Sequence, residues 1–357
     1  MKKHLILLIL LFCLPAALLI ISPSPIDALP YKPQQAPEAV GVLTPNLHLK
    51  EAELLARGEM IGAEDVAVDH LGRIYGGTMD GKILRIADGK TELFVDLTLN
   101  GKPARPLGLH FDKQGNLVVC DAWQGLLSIS PSGTVSVLTT EAEGTPFAFT
   151  DDLDIASDGT IYFSDASSRF NQPDYALDLL EARPWGRLLA YDPNTQKTRV
   201  LMESLYFANG VALSSSEDFV LVNETYRYRI QRYWLRGPKA GTQELFIDNL
   251  PGLPDGVSGN RKGTFWVALA TPRKTSVDRM HEHPWIKNLI AKLPPFLWPK
   301  PETYGYVLAL NEQGKIVRSL HDPSGEHLQM ITSAEEHNGS LYLGSLHNDR
   351  IGRLKLE

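Results

Sequence analysis

The stretch TDDLDIASDGTIYFSD, residues 150–165, carries the pattern that decides the fold. A turn signal at Asp158 and Gly159 precedes a short apolar strand whose anchor position is Ile161. Five comparable segments have their anchors at Ile74, Leu117, Phe219, Phe265 and Leu341. The six anchors are 43, 44, 58, 46 and 76 residues apart, so a unit of about 45 residues recurs, with insertions after the third and fifth anchors.

Repeats of this length, each made of short strands, predict an all-β fold: a six-bladed β-propeller whose four-stranded blades surround a channel. The predicted blades cover about 61–100, 101–144, 145–204, 205–250, 251–325 and 326–357. Because the sixth repeat ends with room for one more strand, part of 48–60 is expected to pair with it and close the ring. The predicted propeller is therefore residues 47–357.

A second regularity concerns the residue ten positions before each anchor. These positions hold Glu64, Leu107, Asp151, Asn209, Asp255 and Ile331, and four of the six carry side-chain oxygens. Equivalent positions in different blades are related by rotation about the channel, so they are expected to form a ring if they lie on the innermost strands. Carboxylate and amide oxygens suit a hard cation better than zinc or copper. The pattern predicts one divalent cation, with calcium favoured, bound by Glu64, Asp151, Asn209 and Asp255.

Composition excludes several classes of protein. The 357 residues are 43% apolar and 22% charged, which is enough to bury a large core. A net charge of -7 gives no electrostatic reason to expect nucleic acid as a partner. Only two cysteines are present, Cys13 in the N-terminal apolar run and Cys120 in a predicted strand, so a disulfide framework is excluded.

The N-terminus predicts export. Residues 5–21 are uniformly apolar and follow Lys2 and Lys3, which favours a signal anchor at 1–21, with a cleaved signal peptide as the alternative. The lysines place the N-terminus in the cytoplasm and the propeller on the periplasmic or extracytoplasmic side, attached to the membrane. Residues 22–46, rich in Pro and Ser, are interpreted as a tether.

The larger insertion, at about 273–303, has apolar residues at helical spacing. It predicts a short helical lid over the channel mouth, with membrane contact or packing on the rim as alternatives. Its expected apolar wall consists of Trp285, Leu289, Leu293 and Trp298, facing Phe147 and Phe149. His281 and His283 in the same insertion are interpreted as surface residues.

Several of these segments together resemble a known superfamily of six-bladed propellers. They are GAEDVAVD (62–69), RPLGLHFD (105–112), TDDLDIASDGTIYFSDASS (150–168), FANGVALS (207–214), LPDGVSGNRKGTFWVAL (253–269) and EEHNGSLYLGSL (335–346). The superfamily includes gluconolactonase (senescence marker protein), paraoxonase and the strictosidine synthase-like proteins, and the chain is most similar to the branch with the adipocyte plasma membrane-associated proteins. The resemblance implies metal ligation by Glu64, Asn209 and Asp255, with Asp151 at a position where relatives have asparagine.

Departures from these relatives narrow the expected chemistry. Thr332 stands where strictosidine synthase has its reactive glutamate, which argues against amine and aldehyde condensation. The stretch PFAFTDD (146–152) lacks the arginine that holds sugar acids in gluconolactonases, and Leu107 replaces a histidine of paraoxonases. A small apolar ester or lactone is therefore the expected substrate.

The predicted function is calcium-dependent hydrolysis of such an ester or lactone. A bound cation can polarise a carbonyl while a ligand carboxylate accepts a proton from water, with Asp255 as the first candidate base and Asp151 as the second. The alternative is a non-catalytic, metal-stabilised propeller that binds a ligand or partner. The expected substrate-binding residues are Leu107, His110, Phe149, Ile331 and Thr332.

Overall fold

A computed structural model describes residues 21–98 and 101–356 of the chain. The signal anchor predicted at 1–21 lies, apart from Ile21, outside the described residues. Six four-stranded antiparallel sheets follow one another along the chain, which confirms the six-bladed β-propeller. Within the described part of the chain, no helix combines the length and the apolar character needed to cross a membrane.

The strands have the following bounds. The first is β1 (Glu53–Leu55), and blade one contains β2 (Val66–Val68), β3 (Ile74–Gly77), β4 (Lys82–Ala87) and β5 (Lys90–Asp96). Blade two contains β6 (Pro106–Phe111), β7 (Leu117–Asp121), β8 (Gly125–Ile129) and β9 (Val135–Thr139), and a hairpin of β10 (Glu141–Ala142) and β11 (Thr145–Pro146) follows. Blade three contains β12 (Thr150–Ile155), β13 (Ile161–Asp165), β14 (Gly186–Asp192) and β15 (Lys197–Leu205).

Blade four contains β16 (Ala208–Leu213), β17 (Phe219–Glu224), β18 (Arg229–Trp234) and β19 (Gln243–Ile247). Blade five contains β20 (Gly252–Gly259), β21 (Thr264–Pro272), β22 (Gly305–Asn311) and β23 (Ile316–Asp322). Blade six contains β24 (Ile331–His337), β25 (Ser340–Ser345) and β26 (Ile351–Lys355). Short 3-10 helices occupy Gly41–Leu43, His48–Glu51, Gln172–Asp174, Thr225–Arg227 and Pro295–Leu297.

Blade six is completed by the start of the propeller. Strand β1 pairs antiparallel with β26, with Glu53 opposite Arg353 and Leu55 opposite Ile351. The prediction that part of 48–60 adds a strand to the last blade is confirmed. The pairing supplies the fourth, outermost strand of blade six and links the two ends of the propeller.

The core lies between neighbouring blades. All six anchors are buried, and they belong to apolar clusters formed by facing sheets, as Phe219 does with Phe265 across blades four and five. Burying each such side chain contributes about 1.5–3 kcal/mol. The anchors recur in sequence because each blade repeats the same contact with the next.

The innermost strands approach one another closely at the axis. A Cβ atom on Gly210 would lie 2.3 Å from the nitrogen of Val257, and one on Gly256 would lie 2.4 Å from the oxygen of Thr332. Carboxylates join other pairs of blades, since Asp65 accepts a hydrogen bond from the Leu109 nitrogen at 2.8 Å. These contacts fix the spacing of the residues that face the channel.

Two helical insertions lie at one end of the propeller. Blade three carries α1 (Tyr175–Glu181) between β13 and β14, and blade five carries α2 (Thr275–His281) and α3 (Pro284–Ala291) between β21 and β22. Both insertions connect the second and third strands of their blades, so they emerge at the same end. Apolar residues of α1, α2 and α3 pack into one cluster.

The segment interpreted as a tether packs against these insertions. The Leu29 nitrogen donates to the Glu181 carbonyl at 2.9 Å, and the Tyr31 nitrogen donates to the His281 carbonyl at 2.9 Å. Lys287 of α3 donates from Nζ to the Leu29 carbonyl. Residues 26–31 therefore form part of the folded body and run between the two insertions.

Candidate axial site

A cavity of about 470 Å³ opens at the end of the propeller that carries the insertions. Its floor is formed by one residue from each blade: Glu64, Leu107, Asp151, Asn209, Asp255 and Thr332. These six residues are called the axial ring and the space above them the axial cavity. Five of the six positions follow from the ten-residue spacing, and the four residues predicted to bind the cation all lie here.

The sixth position differs from the prediction, because Ile331 is fully buried among apolar residues of blades five and six. In blade six, His337 pairs with Ser340, which leaves a two-residue turn of Asn338 and Gly339, both with positive φ. The corresponding turn of blade three holds residues 157–159. Counting back ten positions therefore ends one residue too early in blade six. Thr332 is the true equivalent, and a substrate-binding role for Ile331 is wrong.

His110 also lies away from the axial cavity. It lines a separate, smaller space further along the channel, beyond the axial ring, where its Nδ1 is 4.0 Å from an Asp154 oxygen. Burial lowers the pKa of His110, which keeps the imidazole neutral. The structure places His110 on the far side of the ring from any substrate in the axial cavity.

The three carboxylates of the axial ring are buried, and the charges of Asp151 and Asp255 disfavour ionisation of their neighbours. Burial raises the pKa of Glu64 well above its usual value, and the charges of Asp151 and Asp255 raise it further. Burial, followed by the charge of Asp255, likewise raises the pKa of Asp151. Burial raises the pKa of Asp255 to about 7, against the effect of hydrogen bonds with Asn209 and Glu64. The three groups can remain neutral by holding protons, and if all three are ionised they need a compensating cation.

Arg105 supplies part of that compensation. Its guanidinium is buried, and its positive charge opposes the upward pKa shifts of both Glu64 and Asp151. Nη1 donates to the Gly62 carbonyl at 2.9 Å. The single positive charge of Arg105 cannot balance three ionised carboxylates. The ring would then carry a net negative charge that a bound cation could offset.

The ring has the chemistry of a hard-cation site. Asp151 Oδ2 is buried and has no hydrogen-bond partner within the described residues. The other atoms of the ring that could bind a cation are carboxylate and amide oxygens. Elsewhere in the ring, the Thr332 hydroxyl donates to the Glu64 carbonyl at 2.6 Å and holds that blade in place. Across residues 21–98 and 101–356, no three His, Cys, Asp or Glu side chains are already spaced as a ligand cluster. Coordination by the ring would therefore involve side-chain adjustment.

The walls of the axial cavity are mainly aromatic and aliphatic. The Phe149 and Phe207 rings lie 5.4 Å apart, and the Phe207 and Tyr226 rings lie 4.6 Å apart. The Tyr226 hydroxyl donates to the Tyr175 carbonyl of α1 at 3.0 Å, which joins the wall to the blade-three insertion. Phe147 does not line the cavity; it packs edge-on against Phe163 instead.

Much of this wall escaped prediction although a simple signal marks it. Stepping two residues back from the axial ring leads to a second layer at the start of the inner strands. In four blades this layer lines the cavity, at Phe149, Phe207, Leu253 and Met330. Only Phe149 was among the predicted residues. The spacing therefore extends the ring pattern towards the cavity mouth, although Phe149, Phe207 and Met330 lie one residue before their strands.

The blade-five insertion covers the axial cavity, but Trp298 is the only one of its four expected wall residues that lines it. Trp298 lines the cavity, together with Val277 and Met280, whereas Trp285 is 68% exposed. Leu289 and Leu293 do not line it either. The apolar face of α3 packs on α1 and the N-terminal segment, so it is not available to the cavity.

His281 corrects another expectation. Its side chain is fully buried, neither ring nitrogen has a hydrogen-bond partner among the described residues, and burial lowers its pKa to about 3. Its ring packs edge-on against Tyr31 of the N-terminal segment at 5.9 Å. His283 is exposed, as predicted. The sequence pattern of α2 alone could not reveal a surface that a distant segment covers.

Comparison with known proteins agrees with the fold and identifies the family. The sequence matches the strictosidine synthase family over residues 151–238 and the strictosidine synthase-like N-terminal family over residues 41–86. The adipocyte plasma membrane-associated protein of Homo sapiens is 38% identical over 354 residues, covering 94% of this chain and 85% of that protein. Strictosidine synthase-like 10 of Arabidopsis thaliana is 37% identical over 310 residues, covering 80% and 83%.

Solved structures are similar in fold at low sequence identity. A gluconolactonase from Xanthomonas campestris has a TM-score of 0.64 at 18% identity, covering 94% of this chain and 99% of that one. The calcium-binding protein regucalcin from Agrobacterium tumefaciens has a TM-score of 0.59 at 13% identity, covering 85% and 93%. Fold and site thus define a six-bladed propeller of the strictosidine synthase-like class. Within it, the chain belongs to the family of the adipocyte plasma membrane-associated proteins.

Proposed function

We propose that the protein is a calcium-dependent hydrolase of apolar esters or lactones, with Glu64, Asp151, Asn209 and Asp255 holding the cation. The observation that carries the proposal is the unpartnered, buried Asp151 Oδ2 among three clustered carboxylates. Leaving such an oxygen unsatisfied is costly unless it binds a ligand. Its position on the floor of an apolar cavity supports a role that involves a substrate.

A bound cation supplies Lewis acidity, polarising a substrate carbonyl and stabilising the negative charge that develops on its oxygen. Asp255 has the role of general base, accepting a proton from the attacking water, and Asp151 is the second candidate. Thr332 fixes Glu64 through its hydrogen bond to the Glu64 carbonyl.

The cavity walls support an apolar substrate. Phe149, Phe207 and Tyr226 form one side, and Trp298 of the insertion closes another. These side chains exclude water and hold an aryl or acyl group while its carbonyl faces the axial ring. Leu107 adds an apolar surface to the floor of the cavity itself.

The alternative function is ligand or partner binding without turnover, with the cation tying the blades together. One observation favours it: no histidine is among the described residues that line the axial cavity, so proton transfer would rest on carboxylates, tyrosines or lysines. Both functions predict metal binding. They differ in whether product forms.

Membrane attachment belongs to the same proposal. The similar human protein is described as plasma membrane-associated. We propose that residues 1–21 anchor this chain, with the propeller on the extracytoplasmic side.

The deciding experiment uses the purified full chain and a panel of aryl esters and lactones of graded acyl length. Hydrolysis is measured with calcium, with a chelator, and after calcium is restored. The proposal requires turnover that the chelator removes and calcium restores. Calcium binding in a stability assay, with no turnover on any panel member, would instead favour the binding function.

A further inference from the structure

Three large apolar side chains of the blade-five insertion point away from the protein. Trp285 of α3 is 68% exposed, and Phe296 and Leu297, in the short 3-10 helix after α3, are 71% and 55% exposed. These three residues are called the insertion patch. Scattered exposed apolar residues are ordinary, but three in one short segment mark an interaction surface.

The N-terminal segment reaches the insertion at this place. Ser24 Oγ donates to Asn288 Oδ1 of α3 at 3.0 Å, and Ile26 and Ala28 are buried in the cluster that the insertions form. Only two residues separate Ser24 from Ile21, so the two are at most about 11 Å apart even in an extended chain. The apolar run 5–21 therefore ends close to α3.

The end of the blade-five insertion also forms the rim of the axial cavity. Pro299, Lys300 and Pro301 line the cavity and are exposed, while Trp298, beside the patch in sequence, lies against the cavity. Residues 295–301 thus present Phe296 and Leu297 of the insertion patch to the outside and Trp298 to the cavity. A surface that contacts the patch also adjoins the cavity mouth.

We propose that the insertion patch docks on the lipid bilayer and that the axial cavity opens towards it, so that apolar substrates enter from the membrane. The inference rests on the proposed anchorage by residues 1–21. A bilayer fits better than a second copy of the chain, because an inserted run at 5–21 holds the lipid surface beside α3 at all times. Tryptophan and lysine, present here as Trp285 and Lys300, suit the interface between lipid and water.

The test uses the full chain in vesicles of phosphatidylcholine and phosphatidylserine. An environment-sensitive fluorophore is attached to cysteine in the Phe296→Cys variant, with Cys13→Ser in the background; Cys120 is buried and does not react in the folded protein. Leu297→Cys is a second reporter if the first variant folds poorly. Leu71→Cys is the matched control, because Leu71 is 65% exposed in the turn between β2 and β3, at the opposite end of the propeller.

Docking predicts blue-shifted emission at positions 296 and 297 and quenching by brominated phosphatidylcholine, with neither effect at position 71. Equal emission at all three positions overturns the proposal. A blue shift without bromolipid quenching also overturns it, because a protein surface then covers the patch. Failure of the protein to float with the vesicles overturns the anchorage itself. None of these readouts depends on hydrolysis, so they are separate from the test of enzymatic function.

Discussion

Asp255 has two of the proposed roles, as a ligand of the cation and as the general base. It lies on the floor of the axial cavity, is buried, and has a pKa raised to about 7 by that burial. It is also one of the four oxygen donors proposed for the cation. Removing its charge therefore weakens the metal site and removes the candidate base together.

The substitution Asp255→Asn is expected to lower kcat on any ester or lactone substrate by about 100-fold or more, the usual contribution of a general base. The variant should still fold, because asparagine is nearly isosteric and the ring loses one of its repelling charges. Initial rates at saturating calcium, together with a melting curve, measure both effects. Asp158→Asn, in an exposed turn, is the matched control; full turnover in the Asp255 variant would exclude both roles for this residue.

Glu335 provides a pH test outside the axial ring. Burial, with the charges of Asp65 and Asp154, raises its pKa to about 8. A carboxyl whose pKa is higher in the folded state stabilises the fold fully below its unfolded pKa of about 4.3 and loses that effect as the pH rises through about 8. At high pH the folded state is less stable because Glu335 is then an ionised carboxylate, buried and close to Asp65 and Asp154.

The Glu335→Gln variant should therefore melt near the wild-type temperature at pH 5 and above it at pH 9. Thermal unfolding at the two pH values measures the difference. Glu203→Gln, at an exposed position, should leave the pH dependence unchanged. A lower melting temperature for Glu335→Gln at pH 9 would show that the ionised carboxylate stabilises the fold.

At the scale of elements, the blade-five insertion offers a matched pair of tryptophans. Trp298 lines the axial cavity, whereas Trp285 faces outward. Trp298→Ala should lower kcat/KM for long-chain or aryl esters by about tenfold or more relative to short polar esters, because an apolar wall is lost. Trp285→Ala should leave selectivity among soluble esters unchanged. Parallel kinetics on a graded ester series measure both, and the same shift in both variants would contradict the assignment of the wall.

The elements also show where sequence patterns carry information and where they do not. The repeat predicted the inner strands and five positions of the axial ring, because each blade makes the same local contacts. The spacing indicated Ile331 instead of Thr332 because one turn is a residue shorter, and Thr332 was predicted only through the resemblance to strictosidine synthase. His281 was missed because residues 26–31, far away in sequence, cover it. Contacts between segments far apart in the chain produce no repeating pattern in the sequence, so the repeat could not predict them.

The molecule as a whole should respond to the cation. The six blades contribute one residue each to the axial ring, so a cation bound there joins several blades at once. Binding to the folded state alone stabilises it by about 2.7 kcal/mol at 100 times the dissociation constant. Calcium should therefore raise the melting temperature and a chelator should lower it. If no divalent ion shifts the melting curve, the ring is not a metal site.

The pairing of β1 with β26 sets the order in which this protein can be completed during synthesis. Glu53 and Arg353, joined by a side-chain hydrogen bond, are 300 residues apart in the chain. Blades one to five can form as they emerge, but the ring closes only when the last strand has been made. The axial ring needs Thr332 from the last blade, so its six-residue floor is assembled only at the end. The four proposed cation ligands come from blades one, three, four and five, so the cation site itself does not depend on the residue that blade six adds to the floor.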